Sequence, residues 1–330
     1  MRSPDRSAAG RRRLVPWLLR LALSVTLLLL VFRLVPLTDV LSTLGSAHVG
    51  FLTLAWALTV LNVYLAACQL KLLTSRQRLS PSTLRIFEIN LATHFYGLFL
   101  PAYLSGGAIR WYKLAQKDRR PAEALTSIVF NRFVDTLMLV ALGLVFWALD
   151  PRFGSGLRAP LLLGGLVAVG LLYLAAFRSG WTGAVRRRVS GSRWLPESFR
   201  RRAEKLLDSI IRGQGLSRAD HRALLLFSLA RCLLGVAGLW MLARAVTIDV
   251  ALASLGWVHS TIRVAVMAPV TVSGFGVREG GLALLLQPYS VATAEAIALS
   301  FLMFSRTLIK GALGALVEAR HWLGESRAPA

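Results

Sequence analysis

The hydrophobic residues of the chain fall in long runs that are separated by short segments rich in charge. A bilayer core about 30 Å thick needs roughly 20 apolar residues in helical form to cross it. Six runs reach that length, and each predicts a membrane-spanning helix. They lie near residues 14–36, 49–70, 123–149, 159–178, 222–244 and 292–316. The pattern therefore predicts an all-α polytopic membrane protein.

Two further apolar stretches, at residues 85–109 and 251–286, contain residues that break helices. The breaking residues are Pro101 with Ser105, Gly106 and Gly107, and Pro269 with Ser273, Gly274 and Gly276. Proline and clustered glycine interrupt the hydrogen-bond ladder of a helix, and lipid tolerates open backbone only where protein or water covers it. Both stretches are predicted to form re-entrant hairpins of broken helices. If both cross the membrane fully instead, the chain has eight spans.

The basic residues of the loops and tails lie almost entirely on one side of this arrangement. With the N-terminus inside the cell, 28 loop and tail cations fall on the cytoplasmic side and three fall outside. Cytoplasmic loops carry the excess of Lys and Arg, so both termini of this multi-pass protein are predicted to face the cytoplasm from the cell membrane. The first hairpin then opens to the cytoplasm and the second opens to the outside.

One transmembrane domain accounts for nearly the whole chain. Its parts are a basic tail at 1–13, the domain at 14–320 with halves at about 49–178 and 222–316, a basic connection at 179–221, and a tail at 321–330. We interpret the connection as a solvated cytoplasmic loop whose charge fixes the topology. The alternative is an amphipathic helix on the anionic inner leaflet.

Composition excludes several classes of protein. Lys and Arg number 39 against 16 Asp and Glu, a formal net charge of +23, yet 55% of the residues are hydrophobic. The mean hydropathy is +0.58. An ordinary soluble enzyme and a nucleic-acid-binding protein are therefore not expected, because the apolar runs leave no long water-soluble basic face. Cys68 and Cys232 both lie inside apolar runs, so neither a disulfide framework, a metal site nor a cofactor is predicted.

A block of residues occurs twice at a constant spacing. Pro101, Ser105, Gly106, Arg110 and Leu114 recur as Pro269, Ser273, Gly274, Arg278 and Leu282, and each block is followed by Phe-x-Arg, ending at Arg132 and Arg306. The charge distribution gives the two hairpins opposite orientations. Together these features predict an inverted repeat, from which many transporters build a site near the membrane midplane. The alternative is a helix-breaking turn used twice.

Charged residues inside the predicted membrane segments need a reason to be there, because each costs about 2.5–3.5 kcal/mol at the bilayer centre. The basic ones are Arg20, Arg33, Arg132, Arg231, Arg263, Arg278, Arg306 and Lys310, and the acidic ones are Glu88, Asp135, Glu279 and Glu295. Arg132 and Asp135 are three residues apart and are expected to pair. Too few carboxylates remain for the other arginines, so a bound anion, most simply a lipid phosphate, is predicted.

The motifs resemble those of a known family, the lysylphosphatidylglycerol synthase transmembrane-region family of flippase-like membrane proteins. The resemblance covers roughly residues 14–320. It rests on Asn90, Phe95, Leu100-Pro101 and Ser105-Gly106-Gly107-Ala108-Ile109-Arg110, on Arg132-x-x-Asp135, and on Pro269 with Gly274-Phe275-Gly276-Val277-Arg278-Glu279-Gly280.

The resemblance implies a domain that moves anionic or modified lipids, or lipid-linked precursors, between leaflets. The chain departs from the family at Gly107, where an acidic residue is often found three positions before Arg110. No soluble aminoacyl-transferase domain follows residue 320, so lysinylation of a lipid by this chain alone is not expected.

We therefore expect a lipid translocase without enzymatic activity, acting on an anionic or polyprenyl-phosphate-type lipid. The expected substrate-binding residues are Arg110, Arg132, Arg231, Arg263, Arg278, Arg306, Ser105, Gly106, Gly107, Ser273, Gly274 and Gly276. Glu88, Asp135, Glu279 and Glu295 are expected to orient the arginines or to carry a proton. The alternatives are a membrane-embedded lipid-phosphate or glycosyl transferase and a scaffold of envelope biosynthesis; a homodimer fits each of them.

Overall fold

The computed structural model describes residues 37–99, 102–152, 158–177, 179–190, 197–267 and 276–325. The span predicted at 14–36 lies outside these residues, as do Arg20, Arg33, Pro101, Pro269, Ser273 and Gly274. The side chain of Ser105 and the surroundings of Gly106 also lie outside the described part.

The described residues form twelve α-helices, one 3-10 turn and no strand. The helices are α1 (Leu37–Gly45), α2 (Val49–Arg76), α3 (Thr83–Phe99), α4 (Ala102–Asp118), α5 (Pro121–Leu149), α6 (Arg158–Phe177), α7 (Ser179–Ser190), α8 (Glu197–Gln214), α9 (Arg218–Ala245), α10 (Leu252–Met267), α11 (Val277–Leu286) and α12 (Thr293–Glu325), with the 3-10 turn at Gln287–Tyr289.

Five of these helices are long and apolar enough to cross a membrane: α2, α5, α6, α9 and α12. They coincide with the five predicted spans that fall on described residues. The fold class, an all-α polytopic membrane protein, is confirmed. Helix α6 packs on α5 and has no fully buried residue, which places it at the outside of the bundle.

The stretch at 85–109 folds as a hairpin of two helices, α3 and α4, whose outer ends meet. The backbone N–H of Ser80, before α3, donates to Asp118 Oδ2 at 2.9 Å, and the Ser80 hydroxyl donates to Oδ1 at 2.9 Å. The N–H of Ser80, more than any other neighbour, lowers the pKa of the Asp118 carboxyl. One expectation is wrong: Ser105, Gly106 and Gly107 lie within helix α4 and do not form the break.

The stretch at 251–286 folds in the same way, as α10 and α11. Trp257 Nε1, in the second turn of α10, donates to the hydroxyl of Tyr289 at 2.9 Å and to Asp150 Oδ2 at 2.8 Å. Tyr289 also donates to Asp150. Both hairpins therefore return to the end of the bundle from which they start. Which side of a membrane each hairpin opens to stays a prediction.

The helices of the two halves pack in equivalent ways. Helices α2–α5 form the first set of four and α9–α12 the second. In this comparison α2 corresponds to α9, α3 to α10, α4 to α11 and α5 to α12. Helices α2 and α9 pack on each other. The contact of α3 with α12 corresponds to that of α10 with α5, and the contact of α2 with α12 corresponds to that of α9 with α5. The pairs of packed helices are unchanged when the halves are exchanged. This packing supports the repeat that the Pro-x-x-x-Ser-Gly-x-x-x-Arg blocks predict.

The connection forms helices at 179–190 and 197–214, so its interpretation as a solvated loop is wrong. Helices α7 and α8 pack on each other, and α8 also packs on α5. Gln77 Nε2, just after α2, donates to the carbonyl of Ser209 at 2.8 Å, and Arg212 forms an ion pair with Glu123 at 2.9 Å. These polar contacts with distant helices fix α8 against the bundle.

Close packing of α12 on α3 depends on Gly314. A Cβ atom at this position would lie 2.2 Å from the carbonyl oxygen of Leu91, and backbone cannot move aside as a flexible side chain can. We predict that Gly314→Ala lowers the free energy of unfolding by about 1–3 kcal/mol, the usual cost of overpacking. The measurement is thermal unfolding of the purified protein in detergent.

Gly170→Ala in α6 is the matched control, because no atom lies within 4 Å of its added methyl group. Equal unfolding temperatures for the two variants would contradict the close approach of α12 to α3.

Candidate functional site

Six basic side chains gather on five neighbouring helices of the bundle, and we call them the cationic cluster; those of Arg132 and Arg263 are exposed at its surface. They are Arg110, Arg132, Arg231, Arg263, Arg306 and Lys310. Arg110 lies within electrostatic range of Arg132 and Arg231. Arg263 lies within electrostatic range of Arg132, Arg231, Arg306 and Lys310. Five helices, distant in sequence, thus bring like charges together.

A single carboxylate, that of Asp135, acts on this cluster within the described part of the chain. Its Oδ2 binds Arg231 Nη1 at 2.6 Å. Gln69 closes a ring, since its Oε1 accepts from Arg231 Nη1 at 2.6 Å and its Nε2 donates to Asp135 Oδ1 at 2.9 Å. The hydroxyl of Ser228 donates to the same Oδ1 at 3.0 Å. Asp135 is therefore held by α2 and α9 as well as by its own helix.

The predicted pair of Arg132 and Asp135 is wrong. A spacing of three residues places both side chains on one side of α5. The Asp135 carboxylate instead pairs with the guanidinium of Arg231, which reaches it from α9. The side chain of Arg132 is exposed and lines a groove between α4 and α5. No described residue forms a hydrogen bond or an ion pair with the Arg132 side chain.

Three other members of the cluster share this lack of a charged partner. The side chains of Arg110, Arg263 and Lys310 have no hydrogen bond or ion pair to any residue in the described ranges. The Nε of Arg110 is buried without an acceptor. A buried donor without a partner costs about 1–3 kcal/mol, and more when it is charged. An incoming anion would therefore find unpaired donors already in place.

Arg306 is held by neutral groups. Its Nε donates to the hydroxyl of Thr59 at 2.7 Å. A Cβ atom at Gly238 would lie 2.9 Å from Arg306 Nη2, so the guanidinium lies directly on the backbone of α9. These contacts position the side chain and leave its charge uncompensated.

Arg278 belongs to a separate cluster. Its Nη2 binds Glu279 Oε1 at 2.6 Å, and its Nε donates to Ser300 Oγ at 2.7 Å. Glu279 is fully buried, and its Oε2 accepts from the backbone N–H of Gly276 at 2.7 Å. Gly276 has a φ of 83°, a conformation that favours glycine. Glu279 thus neutralises Arg278, which the sequence repeat had equated with Arg110.

Two of the predicted coupling carboxylates lie elsewhere. Glu88 forms an ion pair with Arg85 at 3.2 Å and lies 3.5 Å from His321 Nε2. Glu295 accepts from the backbone N–H of Ala292 at 3.2 Å and caps the start of α12. Neither carboxylate contacts the cationic cluster, so the expectation that they orient its arginines is wrong.

Several polar residues of the site were not predicted from the sequence. Gln69, Ser228 and Thr59 are uncharged and lie inside apolar runs, where their isolated polarity was the available signal. His94 and His259 also lie within electrostatic range of Arg263. The Nδ1 of His259 is buried without a partner. No group of three or more potential metal ligands occurs among the residues that the structure describes.

Comparison with known proteins gives one match. The family model described as the lysylphosphatidylglycerol synthase TM region matches residues 17–314, nearly the whole chain. No curated protein and no solved structure matches the chain.

The ring around Asp135 yields a prediction about stability. We expect Asp135→Leu to destabilise the protein by roughly 3–5 kcal/mol, because it removes one partner of an interior ion pair and leaves Arg231 uncompensated. The double variant Asp135→Leu, Arg231→Leu should recover much of this loss, since it removes both charges. Thermal unfolding in detergent measures both effects.

Arg132→Leu serves as the control, since Arg132 does not contact Asp135. A loss of stability in this variant as large as that of Asp135→Leu would show that Arg132, and not Arg231, is the partner.

Proposed function

Because the chain belongs to the family of lysylphosphatidylglycerol synthase transmembrane regions, we propose that it moves an anionic lipid, or an anionic lipid-linked precursor, between the leaflets of its membrane. Membership of this family indicates a lipid-related function in a membrane. The translocation step is our inference from the site.

The observation that carries this proposal is the excess of positive charge in the cationic cluster. Six basic side chains share the single carboxylate of Asp135 within the described residues. Arginine does not lose its proton in proteins, so its charge must be compensated by something else. A phosphate group supplies that charge and matches the planar fork of donors that a guanidinium presents. A lipid can place its phosphate there while its chains remain among apolar residues.

The origin of the cations also favours transport. The first half supplies Arg110 from its hairpin and Arg132 from its long helix. The second half supplies Arg263 from the first arm of its own hairpin and Arg306 from its own long helix. A site shared by two inverted halves can open alternately to either side when one half rocks against the other. The equivalent packing of the halves supports that movement.

We predict that Arg110→Ala and Arg263→Ala each slow translocation about tenfold or more, because a charge-assisted hydrogen bond contributes about 1.5–3 kcal/mol. The protein is reconstituted in phosphatidylcholine vesicles that contain a head-group-labelled phosphatidylglycerol. Chemical quenching of the outer leaflet then reports the rate of exchange.

The matched control is Arg187→Ala, which removes an exposed arginine of α7. This variant should keep the native rate. If native protein moves the lipid no faster than empty vesicles, for phosphatidylglycerol and for polyprenyl phosphates alike, the proposed function is wrong.

The charge excess also predicts selectivity among head groups. A lipid with two phosphates, such as cardiolipin, should inhibit phosphatidylglycerol translocation at a lower concentration than an unlabelled lipid with one phosphate. Zwitterionic phosphatidylcholine should not inhibit, because its head group brings no net negative charge. The measurement is the inhibitor concentration that halves the rate, and equal values for the three lipids would contradict the role of the cluster.

A further inference from the structure

Helices α4 and α5 line an open groove of about 560 Å³. Its lining is apolar apart from Arg132 and Thr136. The remaining lining residues are Gly107, Ala108, Trp111, Leu125, Ile128, Val129 and Phe133. Trp111, Leu125 and Val129 are 37%, 39% and 56% exposed, so the groove is open along the outside of the bundle.

The groove is continuous with the cationic cluster. Arg132 belongs to both, since its side chain lines the groove and lies within electrostatic range of Arg110 and Arg263. On α4, the spacings from Gly107 to Arg110 and Trp111 are three and four residues, which places all three on one side of the helix. The groove therefore presents the guanidinium of Arg132, with Arg110 within electrostatic range of it, and the rest of the lining is mostly hydrocarbon and aromatic surface.

Gly107 borders free space in the groove. A Cβ atom built at this position meets no atom within 4 Å, and Gly107 is exposed. The residue lies inside helix α4, where glycine is less favourable than alanine by about 1 kcal/mol. No close contact of the described residues requires the absence of a side chain there. The free space beside Gly107 would accommodate a bulky ligand in the groove.

We propose that this groove holds a hydrocarbon chain of the transported lipid while Arg132 and Arg110 bind its phosphate. The inference rests on the proposed function and adds the route, a lateral path between α4 and α5. The chemistry of the lining favours this occupant. A free phosphate would leave the apolar lining without a partner, and an apolar helix of another protein would leave the Arg132 charge uncompensated.

A chain held in this way stays beside the bilayer throughout the movement of the head group. Only the phosphate and its substituents then have to pass through the polar interior. The energetic cost of removing a whole lipid from the membrane, about 0.8 kcal/mol for each CH₂ group exposed to water, is thereby avoided.

The test uses the full-length protein in phosphatidylcholine vesicles, with a phosphatidylglycerol that carries a photoreactive diazirine on one acyl chain. Mass spectrometry of the irradiated protein locates the labelled peptides. We expect labelling of residues 107–136 that excess unlabelled phosphatidylglycerol prevents and excess phosphatidylcholine does not. Gly107→Trp should fill the groove and reduce both this labelling and translocation about tenfold or more.

Gly164→Trp in α6 is the matched control, because Gly164 is also a helical glycine with no atom within 4 Å of an added Cβ. It should retain native labelling and native translocation. Gly107→Ala should also behave as native protein, since a methyl group leaves most of the groove free. Equal unfolding temperatures of the tryptophan variants exclude a folding defect as the cause.

Labelling and transport separate the two proposals. Competed labelling at 107–136 without any translocation would support the groove and reject the transport function. Translocation at the native rate in Gly107→Trp, with labelling unchanged, would overturn the groove. Labelling that phosphatidylcholine prevents as well as phosphatidylglycerol would also overturn it, because ordinary boundary lipid would then be the occupant. A crosslink between a cysteine at 107 and one in residues 14–36 would assign the groove to the chain's own N-terminal segment and reject the lipid.

Discussion

An arginine inside a bilayer keeps its proton, so its charge has to be compensated by a carboxylate, by neutral acceptors or by a ligand. This constraint organises the interior of the protein. Arg231 and Arg278 are compensated by Asp135 and Glu279, each within an arrangement of hydrogen bonds from other helices. Arg110 and Arg263 have no such partner among the described residues, and the proposed lipid phosphate would supply the negative charge.

The two halves share their packing and differ in their chemistry. Exchange of the halves preserves the pairs of packed helices. The polar residues do not follow this exchange. In the first half Arg110 has an unpaired Nε, whereas its counterpart Arg278 is bound to Glu279 and Ser300. The repeat therefore supplies a symmetric scaffold on which the polar contacts are not symmetric.

The hairpins connect the scaffold to the site. Each is closed at its outer end, the first by Ser80 with Asp118 and the second by Trp257 and Tyr289 with Asp150. Each also carries one member of the cationic cluster, Arg110 or Arg263, along its inner part. Hydrogen bonds at the closed ends thus help to position charges that lie about two helical turns away. The groove between α4 and α5 begins on the same hairpin that carries Arg110.

The sequence alone was sufficient for the five spans that fall on described residues, for the two hairpin stretches and for the excess of cations within membrane segments, because hydropathy, proline spacing and charge are properties of short segments. It did not decide which groups meet. Asp135 pairs with Arg231 rather than Arg132, and residues 179–190 and 197–214 form packed helices rather than a solvated loop, because helices distant in sequence supply the contacts. The open space at Gly107 likewise exists only between α4 and α5. Ion pairing and cavities depend on distances between such helices, and these distances arise only when the bundle assembles.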